Sequence, residues 1–65
     1  MNPTPQESYE WLKGQLYAKQ DWLERFGSGK NARPEFEIEQ KRRDEMFLLY
    51  FCRSYEAKFE KESAA

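Results

Sequence analysis

The chain predicts an all-α fold: a two-helix antiparallel hairpin that dimerises into a four-helix bundle. Two proline-led segments carry apolar residues at helical spacing, and a glycine pair with a short polar link separates them. The second segment also holds a continuous apolar run, Met46-Phe47-Leu48-Leu49-Tyr50-Phe51-Cys52. A run of that length makes nearly two helical turns, so its side chains point all around the axis. One neighbouring helix cannot cover them.

Residues 1–4 read as a tail. Thr4-Pro5-Gln6-Glu7 starts helix 1, with Thr4 at the N-cap, Glu7 completing a capping box and Pro5 at the first helical position, where its missing N–H is not needed. Tyr9, Leu12, Leu16, Leu23 and Phe26 keep a three-four spacing, with Lys19 laying its alkyl stem along the stripe. A second row, Trp11, Gln15, Ala18 and Trp22, lies about 100° around the axis, so helix 1 is expected to touch two neighbours. Tyr17 falls on the opposite side, and Gly14 sits in the helix interior at a cost of up to about 1 kcal/mol relative to Ala.

Helix 1 should end at residue 26, with Gly27 in the left-handed conformation and Gly29 preventing continuation. The loop, 27–33, is short enough to fold helix 2 back along helix 1. Helix 2 is expected over 34–61, opened by Pro34, with residues 63–65 as a C-terminal tail and 5–62 as the one domain. Glu35, Glu37 and Glu39 favour its positive end, and Glu37 with Lys41 and Glu39 with Arg43 are spaced for i,i+4 ion pairs. Leu48, Cys52, Tyr55 and Phe59 form a seam, with Leu49 at its edge and Ile38 before it. Lys41 and Glu45 interrupt that seam, and Phe47, Tyr50, Phe51 and Phe36 lie on other sides of the helix.

Size makes the surplus matter. A chain of 65 residues is marginal as a lone domain. Cys52 is the only cysteine and histidine is absent, so neither a disulfide framework nor a zinc site can staple the fold, and oligomerisation is the remaining route. The core or dimer surface is predicted to be Leu12, Leu16, Trp22, Leu23, Phe26, Phe47, Leu48, Leu49, Phe51, Cys52, Tyr55 and Phe59. The resulting layout is similar to the two-helix dimer subunits of the Rop family, a likeness of architecture without a shared motif.

Composition narrows the function. Twelve acidic and 11 basic residues leave a net charge of −1, which disfavours a domain built to coat nucleic acid or an anionic membrane. Two Trp, four Tyr and five Phe set the chain apart from a disordered tail. Met1 to Pro5 shows no secretory pattern and seven apolar residues cannot span a bilayer, so the expected location is the cytoplasm.

No catalytic group, cofactor or metal is predicted: the usual general base is missing, and Ser8, Ser28, Ser54 and Cys52 have no activating base at a readable spacing. Cys52 belongs to the apolar run and reads as packing. Asp44-Glu45 reads as solvated helix surface. Gly27-Ser28-Gly29-Lys30 lacks the strand and spacing of a phosphate-binding loop and is better explained as a helix end. Lys41-Arg42-Arg43 fans over some 200° of helix among acidic neighbours, which favours salt-bridged surface over a nucleic-acid patch.

Aromatics and arginines are the residues most enriched in binding hot spots. Trp11, Tyr17, Arg42, Arg43, Tyr50 and Arg53 are therefore the candidate partner-binding residues, although for Trp11, as for Trp22, the core or dimer surface is the favoured place. The sequence thus predicts a non-enzymatic regulator or adaptor, of the kind phages and plasmids encode, that is a homodimer and binds and inhibits another protein. Two alternatives are a Rop-like nucleic-acid-binding regulator presenting Arg42, Arg43 and Arg53, and a structural subunit of a larger assembly.

Overall fold

A computed structural model describes residues 2–64, the side chain of Ala64 excepted. Two helices fill it: α1, Pro5–Phe26, and α2, Glu35–Ala64. They lie antiparallel as a single hairpin, and no strand occurs among the described residues. The Met1 end of the predicted N-terminal tail and Ala65 of the predicted C-terminal tail lie outside the described residues.

The start of α1 is the one its residues dictate. The Thr4 hydroxyl accepts from the Glu7 N–H at 3.1 Å while the Glu7 carboxylate takes the Thr4 N–H at 3.4 Å, so the capping box is closed and Pro5 follows at the first helical position. The other boundaries differ from expectation. Gly27 stays in right-handed helical geometry, its N–H donating to the Leu23 carbonyl at 2.8 Å, and the left-handed residue is Gly29, with φ 83°. The chain thus continues one residue past the helix before it reverses.

Pro34 stands at the cap of α2 rather than inside it: its carbonyl accepts from the Glu37 and Ile38 N–H groups at 3.0 and 3.2 Å. The helix then runs through Ser63 and Ala64, past residue 61, because no glycine or proline interrupts it. The expected Glu37–Lys41 pair is absent; Glu37 instead takes a two-pronged contact from Arg33 of the loop, Nε to Oε2 at 2.9 Å and Nη2 to Oε1 at 3.4 Å. Glu39 and Arg43 form no ion pair either. The loop closes where the Arg33 N–H donates to the Phe26 carbonyl at 3.0 Å.

Cross-helix polar contacts fix the register. The Tyr9 hydroxyl donates to Glu56 at 2.5 Å near one end, Lys19 meets Asp44 at 4.0 Å near the middle, and the Lys41 ammonium lies 5.4 Å from the Trp22 ring centre towards the loop. Lys41 and Asp44, within the charged stretch that interrupts the apolar seam, thus reach across to α1. They bridge the seam at its edges, with charged tips outward and stems along the helices.

What the hairpin buries is small. Among the described residues, only Leu16 and Cys52, at 6% and 3% exposure, are buried. The body measures 49 × 27 × 15 Å with a radius of gyration of 14.8 Å. A compact domain of this length would have a radius near 11 Å. With 22 and 30 residues the helices span about 33 and 45 Å, and two such rods side by side form a single layer.

Gly14 lies in mid-helix, with no heavy atom within 4 Å of the place a Cβ would take. Gly14→Ala should therefore raise stability by about 0.5–1 kcal/mol, whereas Gly29→Ala, forced into left-handed geometry, should lower it by about 1–2 kcal/mol. Urea midpoints check both; a Gly14→Ala midpoint below that of the parent would contradict the placement.

Candidate protein interface

The two helices leave two broad sides and an outer edge on each helix. Residues about −100° from the Leu16 and Cys52 lines come together on one broad side, and residues about +100° from them on the other. On the first, α1 contributes Trp11, Leu12 and Gln15, and α2 contributes Phe47, Leu48 and Phe51, around an open groove with Lys19 and Asp44 on its border. Trp11, Phe47 and Phe51 are exposed, while Leu12 and Leu48 are half-buried in the groove floor. This is a continuous apolar surface made by both helices.

The second side is mixed. Tyr17 is exposed with the Lys13 ammonium 5.9 Å from its ring, and the same ammonium lies 5.3 Å from the Tyr9 ring. Beyond it, on the outer edge of α2, Met46, Leu49, Tyr50, Arg53 and Ala57 line a shallow groove. Tyr50 is 67% exposed, and its ring meets Phe51 edge-on at 5.6 Å, which links the two surfaces across the helix back. Arg42, Arg43 and Arg53 are exposed and form no ion pair among the described residues.

The predicted residues thus divide. Leu16 and Cys52 are buried; Leu12, Trp22, Leu23, Phe26, Leu48, Leu49, Tyr55 and Phe59 are half-buried between or beside the helices. Phe47 and Phe51, assigned to core or dimer, lie open. All six residues proposed for partner contact, Trp11, Tyr17, Arg42, Arg43, Tyr50 and Arg53, are exposed. Trp11 stands with Phe47 and Phe51, whereas Tyr17, Tyr50 and Arg53 do not.

Phe36, at 69% the most open of the large apolar side chains among the described residues, and Met46 carry no role in the sequence reading. The helical angle of Met46 beside Tyr50 and Arg53 was the signal for it. Tyr9 also acquires a part that its seam position concealed: its ring packs edge-on against Phe59 at 5.5 Å and lies 6.3 Å from Tyr55.

No protein-family model matches this chain, and neither does any curated protein or solved structure compared with it. The surfaces themselves must therefore carry the functional reading.

Two titrating groups respond to the packing. Burial first, then the nearby Glu56 charge, pushes the Cys52 thiol up, which disfavours the thiolate and its chemistry. The Tyr9 phenol is pushed up to about 12, chiefly by its hydrogen bond to Glu56, then by burial and by the charge of that carboxylate.

Folding therefore favours the neutral phenol. Its contribution is complete below pH 10.0 and is lost as the pH rises through about 12. The urea-midpoint advantage of the parent over Tyr9→Phe should accordingly hold at neutral pH and shrink across that window. An advantage unchanged by alkali would contradict the Tyr9–Glu56 contact.

Proposed function

We propose that this chain is a non-enzymatic, cytoplasmic interaction protein: a homodimer, two hairpins closed into a four-helix bundle, that binds and modulates another protein. The single observation behind this is the exposure of seven large apolar side chains on a hairpin with two separate open surfaces. Each such side chain forfeits roughly 1.5–3 kcal/mol of burial while it stays in water. A solitary hairpin would present them to every neighbour; a regulator uses one surface to assemble and another to recognise. The apolar side around Trp11, Phe47 and Phe51 suits assembly. Tyr50, Met46, Arg53 and Arg42, aromatic and cationic together, suit recognition of a target protein.

A second reading is favoured by the three unpaired arginines: nucleic-acid contact through Arg42, Arg43 and Arg53. It requires binding that weakens steeply as salt rises.

Substitution separates the surfaces. Leu48→Asp, in the groove floor between the helices, should unfold the chain. Phe47→Asp or Phe51→Asp should leave it helical by circular dichroism and dissociate the dimer. A photo-reactive phenylalanine analogue at Tyr50 should join the chain to a second protein species in its source cells, and Arg53→Glu should abolish that adduct while the dimer persists. If position 50 yields no heterologous adduct, or only nucleic acid, the protein-regulator reading is wrong.

A further inference from the structure

We infer that the occupant of the Trp11–Phe47–Phe51 side is a second copy of this chain, stacked with its loop at the opposite end. In this arrangement the two α1 helices cross at Gln15 and the two Phe47 rings meet beside the same twofold axis. The inference rests on the dimeric reading above and gives it a face and a direction.

Area supports the occupant. The hairpin exposes 5481 Å², whereas a folded monomer of 7.9 kDa would expose about 4,400 Å². The surplus of about 1,000 Å² matches what one side of a stable interface covers, near 800 Å² per partner. Covering it would bring the chain into line with ordinary folded proteins of its mass.

Charge selects the face. Charged residues make up 35% of the chain, yet the α1 row Ser8, Trp11, Gln15, Ala18, Trp22 contains none. Interface cores are depleted in charge and enriched in aromatic rings. The α2 half of this side adds Asp44, which already pairs with Lys19 at 4.0 Å, and Lys58 nearer its end. The opposite broad side carries Lys13, Glu24, Arg42 and Arg53, none of them in an ion pair among the described residues, which a dry contact between identical chains would have to desolvate.

Size selects the direction. The row is nearly complementary to its own reverse: about Gln15, Trp22 is the counterpart of Ser8, and Trp11 falls within one residue, about 1.5 Å of rise, of Ala18. An antiparallel crossing there seats each indole over a small side chain of the partner, and twofold symmetry makes each contact twice. Gln15 meets its own copy, so each side-chain amide can donate to and accept from the other. Gln15 and Phe47 line one groove, so a single axis serves both crossings. Were the loops at the same end, α1 would lie on the partner's α2 and Trp11 would meet Phe51, ring on ring.

Mild oxidation of Gln15→Cys tests this, with sedimentation of the unmodified chain run alongside. Gln15→Cys should give a disulfide-linked dimer, while Tyr17→Cys on the far side, and the parent with its buried Cys52, should stay single-chain on a non-reducing gel. Ala18→Trp should weaken the dimer by at least about tenfold, equivalent to some 1.4 kcal/mol, and adding Trp11→Ala should restore it by exchanging the large and small partners. A dimer by sedimentation in which Tyr17→Cys links and Gln15→Cys does not would overturn the assigned face and leave the dimeric reading standing. So would a dimer in which the double substitution fails to recover. A sedimenting mass of one chain would remove both.

Discussion

Two helices cannot enclose a core, and the rest of this molecule follows from that geometric limit. Each rod has a full circumference, and its single neighbour shields only the strip between them. Leu16 and Cys52 occupy that strip and are buried; Leu12, Leu23, Leu48 and Phe59, one step aside, are only half covered. At the outer positions stand Trp11, Phe47 and Phe51 on one side and Met46 and Tyr50 on the other. The chain has supplied apolar residues for more neighbours than a hairpin contains.

With so little burial to set the register, polar contacts at the seam's borders take on that task. Tyr9 reaches Glu56, Lys19 reaches Asp44, and Lys41 caps the Trp22 ring. Exposed ion pairs contribute at most about 1 kcal/mol each. Their value here lies in specificity: a slide of one helical turn would break all of them together. Holding the register also holds Trp11 and Gln15 level with Phe47 and Phe51, which builds one surface out of two helices. Local structure, packing and the broad apolar surface are linked through those contacts.

Much of the hairpin was legible in the residues themselves. Thr4, Pro5 and Glu7 specify the start of α1 by local hydrogen bonding, which sequence displays directly, and the end at Phe26 followed from the glycines beyond it. The left-handed residue proved to be Gly29 instead of Gly27, because both glycines can adopt that geometry and only the path of the loop decides between them. Pro34 caps α2 from outside, and Arg33 displaces Lys41 as the partner of Glu37, since a loop side chain can approach from a direction that helical spacing does not encode. The exposure of Phe47 and Tyr50 followed from a run too long for one face. The Tyr9–Glu56 contact, between residues far apart in the chain, depends on the register and could not be read from either segment alone.

In the assembly proposed above, a second hairpin covers the broad apolar side. Small-angle scattering from the unmodified chain at micromolar concentration tests it most directly, because forward scattering gives mass and its angular decay gives shape. The expected particle has twice the mass of 7.9 kDa and is thicker than the 15 Å layer of one hairpin. A particle of 7.9 kDa with a radius of gyration close to 14.8 Å would contradict it.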